Sequence, residues 1–204
     1  MNSKQQANIQ RAILLTLLFL VSGWGESWET IRQHAGSIQS IQADFTQEKH
    51  LKILARPLIS KGSFIFRAPA SLRWQYDSPI NSILLLHNGK IRKFIRINGK
   101  ISEQAGISMD GMQMVIQEIS QWLNGRFTES PTFKADLKAD GIIILTPRQE
   151  GLSRLINRIE LKLDRQPGLV KSVTIFENAD SYTVLTFSHP VLNKKIPDTV
   201  FTMP

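Results

Sequence analysis

The chain contains no cysteine. That absence excludes a disulfide framework and excludes lipid attachment at an N-terminal lipobox, so the mature protein is expected to be soluble. The first 25 residues contain no acid, only Lys4 and Arg11 as charges. The apolar run Ala12 to Val21 spans about ten residues, too few for a comfortable membrane crossing. No glycine-rich phosphate loop follows a strand-like segment. The histidines (His34, His50, His87 and His189) are scattered, without the His/Cys/Asp/Glu spacing of a metal site. Asp44 and Glu48 would share a helix face if that segment were helical, but as a pair they read as solvated charges. No catalytic residue, metal or cofactor is therefore expected.

What is present at the start is a basic region, a short apolar stretch, and the small residues Ser22, Gly23 and Gly25. This is the pattern of a secretory signal peptide over residues 1–25, with cleavage after Gly23 or Gly25 and an uncleaved anchor as the alternative. Residues 26–204 then form one expected domain. The whole chain is 204 residues long with 42% hydrophobic content, enough for one sizeable core. Loss of Lys4 and Arg11 leaves 23 basic and 17 acidic residues, a net charge of +6. Such an excess favours anionic partners, a membrane surface or an acidic protein, without choosing between them.

The stretch GSFIFRAPASLRWQYDSP, from Gly62 to Pro79, alternates strictly. Phe64 and Phe66 share one parity, as do Leu72, Trp74 and Tyr76 after the break at residues 68–71. Ile65, Arg67, Arg73, Gln75 and Asp77 fall on the other. Strand side chains alternate between faces, so this is a hairpin with an aromatic face and a largely polar, cationic one. The aromatic face either packs on a core of its own or lines a concave binding surface.

Asn88-Gly89 separates SILLLH from KIRKFIRI, and a second Asn-Gly pair follows at Asn98-Gly99, which extends the hairpin into an antiparallel meander. Within KIRKFIRI, Arg92, Phe94 and Arg96 share a face opposite Ile91, Lys93, Ile95 and Ile97. A cationic outer sheet surface accounts for this cluster, and no nucleic-acid partner is expected. Ser27 to Gly36 predicts a first helix. The next segment is ambiguous, since Ile38, Ile41 and Phe45 fit a helix whereas Ile41, Ala43 and Phe45 fit a strand. An amphipathic helix is predicted from Ser108 or Asp110 to Gly125, with Met112, Val115, Ile116, Ile119, Trp122 and Leu123 on one face. Its methionines, Met109, Met112 and Met114, serve either as core filler or as adaptable ligand contacts. Strand signals resume at 141–147, 158–164, 169–177 and 182–187. Eight to eleven mostly antiparallel strands with two or three helices predict a mainly β (α+β) fold, a strongly curved sheet or incomplete barrel covered by helices on one side.

Taken together, IQADFTQ (Ile41 to Gln47), GSFIFRAPASLRWQYDSP, the NGK at Asn88 to Lys90, the later helix and strands, and the closing IPDTVFTMP resemble the periplasmic outer-membrane lipoprotein carrier family, LolA. The resemblance covers essentially the whole mature chain. It implies an incomplete antiparallel barrel covered by helices, makes Ile41 to Gln47 a strand, and implies a monomeric carrier rather than an enzyme. The implied cargo is the acyl chains of lipoproteins, received from an inner-membrane ABC exporter and delivered to an outer-membrane receptor. The implied cavity residues are Phe45, Phe64, Phe66, Leu72, Trp74, Tyr76, Leu84 and Leu86 on the sheet, with Ile116 and Ile119 facing them from a lid helix. Each buried methylene is worth about 0.8 kcal/mol, so a chain of about sixteen carbons needs such a shelter to cross water.

Two departures stand out. The family often places a basic residue directly before the hairpin proline, where an arginine ties the lid to the barrel. Here Ala68 holds that position and Arg67 precedes it. A one-residue shift changes the face, so without a bulge Arg67 points outward and the latch is absent or comes from another group. The segment after Asn88-Gly89 also keeps only Phe94 where the family commonly has an aromatic pair. A divergent paralogue carrying another amphiphile, a glycolipid or pigment ester for a dedicated exporter, is the second reading. A lipid-ester hydrolase is the third.

Overall fold

Alternating burial along the strands determines how this chain folds. In β1 (Ser40–His50), Ile41, Ala43 and Phe45 are buried while Asp44 is exposed, so the strand period prevails over the helical one. The computed structural model describes residues 27–104 and 118–204. The expected leader, the start of the lid helix with its methionines, and Ile116 lie outside the described residues.

Ten further strands follow: β2 (Leu58–Arg67), β3 (Ser71–Ser78), β4 (Ser82–His87), β5 (Lys90–Ile97), β6 (Lys100–Glu103), β7 (Phe133–Lys138), β8 (Ile142–Pro147), β9 (Arg158–Leu163), β10 (Val170–Phe176) and β11 (Tyr182–Leu192). They form one sheet in the order β6-β5-β4-β3-β2-β1-β11-β10-β9-β8-β7. Every neighbouring pair is antiparallel. Two meanders, β1–β6 and β7–β11, thus meet at the β1–β11 seam, and among the described residues β6 and β7 are the edges. The sheet is not closed into a barrel. Asn88-Gly89 and Asn98-Gly99 turn with positive φ at all four residues, the backbone that tight hairpins require.

Four α-helices are described: α1 (Trp28–Gly36), α2 over residues 118–123, α3 (Glu150–Ser153) and α4 (Thr199–Thr202). The Ser27 side chain caps α1 by accepting from the Thr30 N–H. At Gly125, just after α2, φ is +70°, and a Cβ there would stand 2.7 Å from the Arg32 Cα of α1. Only glycine permits both that turn and that approach.

The main core lies on one face. Residues from β1–β4 and β8–β11 join a single buried cluster with Ile31, Ile119 and Trp122, so the two wings of the sheet curve around the same apolar centre. The curvature is visible in the rings. Trp74 on β3 and Phe187 on β11 lie three strands apart, about 14 Å at the ordinary strand spacing, yet their centroids are 6.3 Å apart. Helices on one side alone were expected, and α4 departs from this. It packs on the opposite, convex face over β3 and β4, beside a second small cluster of Ile83, Leu85 and Phe94.

Candidate functional site

Between the concave face and α2 lies a cavity of about 70 Å³. Its sheet floor is Ile41, Ala43, Phe64 and Trp74 from one wing and Leu161, Val173, Leu185 and Phe187 from the other, with Ile119, Trp122 and Leu123 of α2 above. Asp164 is the one ionisable residue in the described lining.

Strand register explains why these side chains converge. Phe45 stands opposite Gly62 on β2 and Phe187 on β11. A Cβ on Gly62 would meet the Phe45 Cζ at 2.9 Å and the Gln75 carbonyl oxygen at 1.8 Å, so the glycine leaves room for the ring and for the close approach of β3. Phe45 then contacts Trp74 and Tyr76, with centroids 5.0 and 5.1 Å away. Phe64 packs edge-on against Trp74 at 5.4 Å and against Phe187 at 5.5 Å.

Of the residues singled out from sequence, Phe64, Trp74 and Ile119 line the cavity. Phe45, Phe66, Leu72, Leu84 and Leu86 are buried in the surrounding cluster. Tyr76 is half-buried at its margin and donates its hydroxyl to the Gln47 Oε1 at 2.7 Å. The second wing of the lining was not singled out. Its signal was the alternation in Leu161-Leu163, Val173-Ile175 and Leu185-Phe187, but only the topology brings these strands opposite the hairpin. The indole N–H groups of Trp74 and Trp122 are buried without an acceptor among the described residues. An unpaired buried donor costs about 1–3 kcal/mol, which makes both conspicuous in an apolar lining.

The end of α2 is tied to the hairpin. Asn124 donates from Nδ2 to the Pro69 carbonyl at 3.1 Å, and also to the Ser120 carbonyl within its own helix. A polar contact between helix and hairpin tip thus exists, at the residue after Ala68.

Arg67 points to the convex face, as its parity requires. There it donates to the Ile196 carbonyl at 2.7 Å and to the Asp198 carboxylate, and its guanidinium carbon lies 4.9 Å from the Phe201 ring centre. Arg73 donates to the carbonyls of Val200 (3.1 Å) and Met203 (2.6 Å), and Arg92 to that of Thr202 (3.2 Å). Three arginines of the cationic face therefore hold the C-terminal segment through its main-chain oxygens. Burial pushes the Arg73 guanidinium below its ordinary value, with Asp77 opposing. The hydrogen bond from Arg67, then its charge, holds the Asp198 carboxyl below the usual aspartate range. Arg92 does the same to Glu103. Among the described residues no group of three or more His, Asp or Glu side chains gathers as a metal site, and no helix is long and apolar enough to cross a membrane.

An open antiparallel sheet curved around an apolar cavity, with a helix across it, is the architecture of a binding protein for apolar guests. Residues 36–204 match the family model described as outer membrane lipoprotein carrier protein LolA, and the chain belongs to that family. No curated protein matches it. Among solved structures, it is similar to a DUF1329 family protein from Desulfovibrio piger, with 11% identity, 85% of this chain and 95% of the other covered, and a TM-score of 0.48. A LolA superfamily protein from Nitrosomonas europaea shows 11% identity over 86% and 97% of the two chains, with a TM-score of 0.43. LprF from Mycobacterium bovis shows 11% identity over 83% and 93%, with a TM-score of 0.41.

Proposed function

We propose that the protein is a periplasmic, monomeric carrier that shelters acyl chains of lipoproteins in the cavity between the sheet and α2. It takes them from an inner-membrane ABC exporter and passes them to an outer-membrane receptor. The observation that carries this reading is the cavity itself, lined by apolar side chains from both wings of the sheet and from α2. The unpartnered indoles of Trp74 and Trp122 suit the same guest, because an ester or amide oxygen at the head of an acyl chain would satisfy them. The leader at residues 1–25 supplies the route out of the cytoplasm.

A different amphiphile is favoured by one observation. Lys93 shares the inward parity of Ile91 and Ile95 opposite Leu84, and it places a cation where an anionic head group could rest.

Mass spectrometry of what co-purifies from the native host tests both readings. Acylated peptide supports the first, and free glycolipid or pigment ester the second. Val173→Phe should fill the cavity and remove the co-purifying acyl chain while changing stability by no more than about 1–3 kcal/mol. Trp74→Glu should also remove it. A folded Val173→Phe protein that retains its full lipid load places the guest elsewhere.

A further inference from the structure

Ten large apolar side chains stand exposed among the described residues, and eight of them lie at one end of the sheet. The register defines that end. His50 pairs with Tyr182, Phe176 with Tyr182, Lys61 with Ser78, and Ile97 with Lys100. The β1–β2, β3–β4, β5–β6, β8–β9 and β10–β11 connections therefore emerge together. Ile53 (87% exposed) and Leu54 stand on the first, Ile80 (64%) on the second, Ile97 (61%) beside the third and Leu155 (49%) on the fourth. Single exposed apolar residues are ordinary, but their concentration on the loops of one end is not.

Cations predominate at the β1–β2 and β5–β6 tips, whereas Asp77 precedes Ile80, and Glu177 and Asp180 are the charges of the β10–β11 loop. Residues 49–61, KHLKILARPLISK, contain Lys49, Lys52, Arg56 and Lys61 and no acid. Lys49 and Lys52 are paired with Glu177 and Asp180 at 3.3 and 2.8 Å. Arg96 and Lys100 flank the β5–β6 turn, and Arg154 precedes Leu155.

We infer that this end of the sheet docks on an anionic lipid surface, with Ile53 and Leu54 entering the acyl boundary and Lys52, Arg56 and Lys61 against the head groups. Aliphatic tips on separate loops, accompanied by flexible cations that keep their charge in water, are the chemistry of interfacial binding. A protein-binding site would instead concentrate aromatic anchors in a contiguous patch, and no aromatic side chain is among the exposed large apolar residues. The rim is separate from the cavity. Of the lining residues paired with β1, Leu185 comes nearest to this end, opposite Gln47, three positions or about 10 Å before β1 ends at His50, and Ile53 lies beyond that end. A protein held by this rim keeps its cavity end free for a partner.

Because the chain lacks cysteine, Ile53→Cys provides a single attachment point for an environment-sensitive fluorophore. On vesicles of phosphatidylethanolamine containing phosphatidylglycerol its emission should shift to the blue, while on phosphatidylcholine vesicles it should not. The same fluorophore on Ala70→Cys, at the opposite end, should stay in water in both. Lys52→Glu combined with Arg56→Glu should weaken anionic-vesicle binding by about tenfold or more, with both sites solvent-facing and the cooperative unfolding transition retained. No shift at position 53, an equal shift at position 70, an equal response to phosphatidylcholine, or unchanged affinity after the double charge reversal would each overturn the inference. Val173→Phe should keep vesicle binding, so a failed carrier reading, with no acyl chain found, is distinguishable from a failed rim.

Discussion

Arg67 and Asp198 lie 131 positions apart in sequence and form an ion pair on the convex face, where the same guanidinium also covers Phe201. The outward-facing arginine of the β2–β3 hairpin is thus a structural fastener for the chain's last segment. Phe201 is 1% exposed, enclosed by Arg67 and by the His87 ring stacked 5.9 Å away.

Arg67→Ala should lower stability by about 1–3 kcal/mol, since it leaves the Ile196 carbonyl without its donor and opens one side of Phe201. Phe201→Ala should cost about 3–5 kcal/mol. The double variant should fall short of the sum, because each change removes part of the same contact. Urea denaturation of the four proteins checks all three values, and strict additivity would show that the contact is not shared.

The pair also sets an acid response. Because Arg67 holds the Asp198 carboxyl below its ordinary value, the pair's contribution is complete above the unfolded aspartate value of about 3.9 and is lost as pH falls through the folded one. The stability difference between the parent and Asp198→Asn should therefore stay constant from about pH 7 to about pH 4 and shrink in stronger acid. A difference that instead shrinks near neutrality would assign the effect to another group.

Gly62 is the point at which the hairpin tolerates no side chain. Gly62→Ala puts a methyl 1.8 Å from the Gln75 carbonyl oxygen, which β3 can relieve only by moving. A loss of about 3 kcal/mol is expected in thermal or chemical unfolding. Adding Phe45→Leu should recover only a part, because it clears the ring and not the backbone.

Asn124→Ala should free α2 from the Pro69 carbonyl while leaving the sheet intact. The expected cost is about 1 kcal/mol. Amide hydrogen exchange should quicken at residues 118–125 and remain unchanged in β1 and β11. Equal protection in parent and variant would mean that the helix is held by its apolar face alone.

How far the fold was legible follows from the range of each signal. The hairpin at Gly62 to Pro79 was readable because alternation and turn residues are local, and Asn88-Gly89 and Asn98-Gly99 set their turns for the same reason. β7 escaped because FKADLK carries three charges on its solvent side and only Ala135 between Phe133 and Leu137 on the other, a weak stripe on an edge strand. Parity gave the direction of Arg67 but not what it would meet, since Ile196 and Asp198 arrive from the far end of the chain. The first wing of the cavity could be inferred from its aromatic residues. The second wing, Leu161, Val173, Leu185 and Phe187, is aliphatic for the most part and became part of the site only through strand order.

The β1–β11 seam has a consequence for assembly. The first and last strands of the sheet are neighbours at its centre, with Gln42 paired to Val191 and His50 to Tyr182. Each meander can form as its own residues become available, but the join between them waits for the final strand. A chain delivered from its N-terminus therefore exposes the β1 edge throughout delivery, as a template open to foreign strands. The segment that Arg67 fastens follows β11, so it can lock onto the convex face like the clasp on a book only after that join is in reach.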